Sequence, residues 1–255
     1  MKEFRLTSSN CYIRYHDLPG EEIPIVFIHG LGCASSFDYP EVAAQLELSK
    51  HRRILVDLLG AGFSDSPEEF GYSVNDHAEA LMEFITGLRL QKFILFGHSL
   101  GGAVALSLAQ KCRGRVAKII LSEANLDSGG GFFSRMIADY KVEDYMAYGW
   151  DALIEQQQQS SNQMWAASFS KWYPMAAYRL SKSAVQGETP SWREVLYSLD
   201  CPRTFIFGEL SLPDSDQELL EKQGIQIEIV PAAGHSMAWE NPHGLAIAIS
   251  NGITD

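Results

Sequence analysis

A chain of 255 residues with 46% hydrophobic and 20% charged side chains can bury a sizeable core, which excludes global disorder. A formal net charge of −12, with no cluster of Lys and Arg, argues against nucleic acid or an anionic membrane as the main partner. No run of about 18 apolar residues and no signal-like N-terminus occurs, and Cys11, Cys33, Cys112 and Cys201 have neither paired nor metal-ligand spacing, so reduced thiols in a cytoplasmic, metal-free protein are expected.

Phe4-Arg5-Leu6 and Cys11-Tyr12-Ile13-Arg14-Tyr15 alternate in polarity around Ser8-Ser9-Asn10, the pattern of an antiparallel hairpin at a sheet edge. Ile23 to Ile28 is nearly continuous in apolar side chains, as expected of a strand covered on both faces. It runs into His29-Gly30-Leu31-Gly32. Helical spacing predicts a covering helix over 37–48, followed by a strand over 53–58. The glycine-rich loop from Gly60 to Asp65 has no following Lys-Ser/Thr, so it is not read as a phosphate cradle. Asp57 and Asp65 are expected to stabilise turns. Ser73-Val74-Asn75-Asp76 is a capping-box start for a helix to about Leu88.

The central stretch comes next. Phe93 to Phe96 reads as a buried strand, Gly97-His98-Ser99-Leu100-Gly101 as a sharp turn, and Ala103 to Gln110 as a helix. A serine at the apex of such a turn is held in a strained conformation with its hydroxyl exposed, and the Leu100 N–H lies at a helix start, where donors are unpaired. Val116 to Ser122 is another buried strand and ends at Glu123.

From about Leu126 to Leu199 the strand pattern disappears. This segment holds Gly129-Gly130-Gly131, a glutamine run at 156–159 and many aromatics, among them Phe132, Phe133, Trp165 and Trp172. It reads as a helical cap, with the glutamines on a solvated helix face or loop and the aromatics available to line an apolar pocket above Ser99. The sheet resumes at Pro202 to Gly208; a helix over 214–222, a strand over 225–230, the loop Gly234-His235 and a closing helix over 242–249 complete the chain.

Gly-x-Ser-x-Gly, preceded by His29-Gly30 and followed by a strand-end carboxylate and Gly234-His235, resembles the α/β-hydrolase family in its serine-nucleophile, esterase- and lipase-like branch. The resemblance covers nearly the whole chain. It implies an α/β fold with a mostly parallel, eight-stranded twisted sheet flanked by helices. The core would comprise 1–125 and 200–255, with a helical cap at 126–199. It further implies Ser99 as nucleophile, His235 as its base, and an oxyanion hole built from the backbone N–H groups of Leu31 and Leu100. The imidazoles of His29 and His98 are expected to be structural.

The third catalytic member departs from the family's common pattern. Where that pattern carries Asp, three residues after the glycine ending the penultimate strand, Gly208-Glu209-Leu210-Ser211 has a serine. Glu123 is the expected acid, as in some haloalkane dehalogenases, with Asp214 or Glu209 as the alternative. The function implied is a cofactor-independent serine hydrolase acting on a small-molecule, ester-like partner, cleaving small or medium carboxylic esters through an acyl-enzyme. Carbon–carbon bond hydrolysis, lactonase, thioesterase, amidase or perhydrolase chemistry on the same residues, lyase chemistry, and ligand binding without turnover stay open at this level.

Overall fold

The computed structural model describes residues 1–254. Eight strands form one sheet: β1 (Lys2–Leu6), β2 (Cys11–Leu18), β3 (Glu22–Ile28), β4 (His51–Val56), β5 (Phe93–His98), β6 (Val116–Ser122), β7 (Arg203–Gly208) and β8 (Gln226–Val230). Their spatial order is β1-β2-β4-β3-β5-β6-β7-β8. The β1/β2 and β2/β4 pairs are antiparallel, and every later pair is parallel. The antiparallel hairpin therefore occupies one edge, and β5, which leads into Ser99, lies inside the sheet.

The continuous apolar runs have a simple cause. Along β3, Ile25 and Phe27 face one core, together with Tyr39, Val42, Leu245 and Ile249. Val26 and Ile28 face the other, against Leu81, Phe84, Val104 and Leu108. Because successive strand residues point to opposite faces, a strand covered on both sides has no polar position to spare. The second core is built on the helices Val74–Gly87 and Leu100–Lys111. The first of these begins with the expected capping box: Ser73 Oγ accepts from the Asp76 N–H at 3.0 Å, and Asp76 Oδ2 accepts from the Ser73 N–H at 2.9 Å.

The helix expected over 37–48 is instead three short pieces, Ser35–Asp38, Pro40–Ala43 and a 3₁₀ turn at Leu46–Leu48. Pro40 has no amide hydrogen to continue the first piece, and it serves as the first residue of the second. The closing helix runs further than expected, over Pro242–Thr254.

All regular structure between β6 and β7 is helical, including Phe132–Ala138, Trp150–Gln158, Gln163–Phe169, Pro174–Gln186 and Trp192–Tyr197. The last of these rests on the core helix Leu100–Lys111, with Trp192 Nε1–H donating to Ser107 Oγ at 3.1 Å. One glutamine of the run departs from the expected solvated face. Gln157 is buried, and its Oε1 accepts from Asn162 Nδ2 at 2.9 Å, tying off the loop that follows the helix.

Candidate active site

β5 ends by turning sharply into the helix Leu100–Lys111, and Ser99 sits on that turn with φ 51° and ψ −125°. This is a left-handed backbone conformation that a non-glycine residue adopts at a cost of about 1–3 kcal/mol. Surrounding contacts hold it there. The Ser99 N–H donates to Ser122 O at 2.9 Å, and the Ser99 carbonyl accepts from the N–H groups of Gly102 and Asn125 at 2.9 and 3.1 Å. The turn closes only because its neighbours lack side chains. A Cβ on Gly101 would lie 2.3 Å from His29 O, and one on Gly97 would lie 2.8 Å from the Ala105 Cβ. Two other non-glycine residues with positive φ, Glu123 (39°) and Ala232 (53°), flank the same site. Backbone strain thus occurs where the candidate side chains are presented, as it does also at Asn10, Tyr72 and Arg89.

Ser99, His235, Glu123, Leu31 and Leu100 all line one cavity of about 460 Å³ at the carboxyl ends of the parallel strands. Within it, His235 Nδ1 lies 2.6 Å from Glu123 Oε2. The other carboxylate oxygen, Oε1, accepts from the Gly208 N–H at 2.9 Å. Glu123 is largely buried whereas His235 is about half exposed, with side-chain exposures of 12% and 55%. Burial works to raise the Glu123 pKa, but the hydrogen bond and charge of His235, the Gly208 amide and the Ser211 hydroxyl outweigh it and hold the group at about 2. Glu123 is therefore an anion across the neutral range, so the proton of the 2.6 Å bond resides on Nδ1 and the His235 Nε2 lone pair is left available. Ser99 Oγ is not hydrogen-bonded to His235 among the described residues; the two share the cavity without a closed contact.

The remaining carboxylates are occupied elsewhere. Asp214 is the N-cap of the helix Ser215–Lys222, with its Oδ1 accepting from the Asp216 N–H at 2.7 Å, and it does not line the cavity. Glu209 Oε2 accepts from the Ala232 N–H at 2.8 Å and so steadies the loop that carries His235. Asp57 ties Ser36 to Phe63, and Asp65 accepts from the Tyr12 N–H.

His29 and His98 are both buried and bonded to backbone. His29 Nε2 accepts from the Leu58 N–H at 3.0 Å, which places its proton on Nδ1, donating to Gly30 O at 2.9 Å. His98 Nδ1 is 2.8 Å from Ser122 Oγ and 3.1 Å from Ser122 O, and its ring centroid is 4.7 Å from that of His235. Burial, and after it the neighbouring His235, push the His98 pKa down to about 3, so it stays neutral beside that ring.

Among the described residues, the Leu31 and Leu100 N–H groups donate to no other part of the chain, and both residues line the cavity with Ser99. The loop bearing Leu31 is gripped from the inserted helices by two indoles. Trp165 Nε1–H donates to Leu31 O at 2.9 Å, and Trp172 Nε1–H donates to Cys33 O at 2.8 Å. A Cβ on Gly32 would lie 2.3 Å from Trp165 Nε1, so only glycine admits the indole there. Neither indole contact is visible in the sequence, where both tryptophans are just two aromatics in a helical segment. Ser211 is the residue that replaces the usual Asp, and its hydroxyl supports Glu123; its position was legible and its partner was not.

Comparison with known proteins agrees with this architecture. Residues 25–248 match the model of the alpha/beta hydrolase family, and the chain belongs to that family. It is 32% identical over 143 residues to the 2-hydroxy-6-oxo-2,4-heptadienoate hydrolase of Pseudomonas putida, covering 52% of this chain and 51% of that protein. It is also 32% identical over 114 residues to haloalkane dehalogenase 2 of Mycobacterium tuberculosis, covering 45% of this chain and 39% of the relative. The chain thus matches about half or less of the length of these curated relatives. Among solved structures, a thermophilic esterase from Thermogutta terrifontis shares the fold with a TM-score of 0.81 at 20% identity, covering 100% of this chain and 98% of the esterase.

Proposed function

We propose that the protein is a serine hydrolase that cleaves small or medium carboxylic esters through an acyl-enzyme, with residues 126–199 acting as a cap over the site. The observation that carries this reading is the 2.6 Å bond from His235 to an ionised Glu123 in the cavity that also holds the strained Ser99.

Ser99 Oγ attacks the ester carbonyl while His235 Nε2 takes its proton. Glu123 holds the Nδ1–H tautomer and stabilises the imidazolium without itself taking the proton. The carbonyl oxygen becomes an anion as the tetrahedral intermediate forms, and the free N–H groups of Leu31 and Leu100 receive it; one such donor is typically worth roughly 10²–10³ in rate. His235 returns the proton to the leaving alcohol. Water, activated by the same imidazole, then releases the acid and restores Ser99. In this mechanism the Ser99–His235 hydrogen bond closes as substrate fills the cavity.

The test is intact mass after treatment with a fluorophosphonate, on wild type and on Ser99→Ala, followed by an ester panel of graded acyl length. A single adduct on the wild type that is lost in the variant, together with ester turnover, is the expected result. Well-folded protein that takes no adduct and turns over no ester would overturn the proposal.

A further inference from the structure

Resting on that hydrolase reading, we propose that the cavity selects uncharged substrates, esters whose acyl and alcohol parts both lack an ionised carboxylate. The fixed charge on its wall is that of a carboxylate, Glu123. Glu123 lines the cavity as an anion, Asp38 lines it with a carboxyl that burial pushes up to about 7, and Glu209 and Glu240, outside the wall, bracket the His235 loop by accepting from the Ala232 and Gly234 N–H groups at 2.8 Å each. Among the described residues, no Lys or Arg lines the cavity.

Nearby bases in the sequence are turned away. Arg135 follows the cavity-lining stretch from Gly131 to Ser134, but its guanidinium donates to Gly130 O at 2.9 Å. Arg193 is held by both Asp127 and Asp216, at 2.7 and 2.9 Å. The rest of the wall is mainly aromatic and aliphatic, from Phe132, Phe133 and Trp165 on one side to Met237, Trp239 and Leu245 on the other.

A carboxylate entering this space leaves water without gaining a cation, and it meets like charge. Like-charge juxtaposition in a recognition site costs several kcal/mol, and an unpaired buried charge is costly in its own right. A neutral acyl chain loses nothing and gains the apolar wall. The Pseudomonas putida relative is named for a carboxylate substrate, 2-hydroxy-6-oxo-2,4-heptadienoate. Among the described residues, this cavity offers such a group no lysine or arginine.

The experiment compares ethyl hexanoate with monoethyl adipate, which has the same six-carbon acyl chain and replaces the terminal methyl by a carboxylate. The wild type is expected to show kcat/KM roughly 100-fold lower for monoethyl adipate, in line with the cost of like charge. Phe132→Lys places a cation at an exposed position of the wall and is expected to narrow the gap by about tenfold, one added ion pair. Equal rates on the two esters, or a preference for the adipate, overturn the inference. So does a gap unmoved in a folded Phe132→Lys that still takes the fluorophosphonate. That label also separates two failures. Ser99 labelled with charge selectivity missing defeats this inference alone, whereas Ser99 unlabelled and both esters untouched defeats the hydrolase reading beneath it.

Discussion

At the scale of single residues, Ser99 and His235 were legible because each sits in a local pattern, a Gly-x-Ser-x-Gly turn and a Gly-His loop after the last strand. The acid was not legible in that way. Three carboxylates stood at plausible places in the chain, and which one meets His235 depends on how three separate strand ends converge. The structure brings Glu123 within 2.6 Å and leaves Asp214 capping a helix. Removing Glu123 frees His235 to take the wrong tautomer and leaves its positive state unsupported, so Glu123→Ala is expected to lower kcat on a neutral ester by roughly 10³–10⁴-fold. Asp214→Ala removes only a helix cap, at about 1 kcal/mol, and should leave kcat within twofold. Steady-state kinetics on the two variants checks the ranking, and the reverse order would remove Glu123 from the proposed triad. Because Glu123 is held at about 2, an acid limb of the pH profile near pH 5–7 cannot come from its protonation.

At the scale of elements, strands were easiest to read. A strand buried on both faces writes a continuous apolar run, and a capping box marks a helix start in four residues. Periodicity failed over 37–48, where the apolar spacing is helical but Pro40 divides the segment. The turn at Ser99 adds a requirement that periodicity does not express, namely backbone meeting backbone. Gly101→Ala would press its methyl to 2.3 Å from His29 O and also crowd Ile28 O. The contact is backbone on both sides, so neither can swing aside, and the variant is expected to lose several kcal/mol of stability. Gly114→Ala is a contrasting control. Gly114, unlike the helical Gly101, has positive φ (81°), and its added methyl meets nothing within 4 Å, so only the left-handed conformation is penalised, at roughly 1–2 kcal/mol. Denaturant unfolding should therefore show a larger drop in midpoint for Gly101→Ala than for Gly114→Ala; equal midpoints would mean that the turn relaxes.

At the scale of the whole molecule, the mostly parallel sheet and the helical segment between β6 and β7 were foreshadowed by alternating strand and helix signals, followed by the loss of the strand signal at Leu126. How the insertion meets the core was not foreshadowed, because a tryptophan's partner 134 residues away leaves no local trace. The inserted helices supply wall to the cavity and also fix the loop that carries Leu31. Trp165→Phe keeps an aromatic ring in the stack between Phe133 and Phe169, at 4.2 and 4.5 Å, and deletes only the donor to Leu31 O. If that bond aims the Leu31 amide, kcat on a neutral ester should fall by about tenfold with KM nearly unchanged, the signature of an interaction made in the transition state. A rise in KM at constant kcat would assign Trp165 to the cavity wall alone.

The position of His235 has one more consequence, for the order in which the protein acquires its reactivity during synthesis. The loop bearing it follows β8, an edge strand bonded only to β7, and Leu210 just after β7 donates to Ala233 O to hold that loop in place. A nascent chain that ends just past β6 contains Ser99 and Glu123 but lacks His235. On the proposed mechanism, ribosome-bound intermediates stay chemically silent until β8 and the His235 loop beyond it have left the exit tunnel.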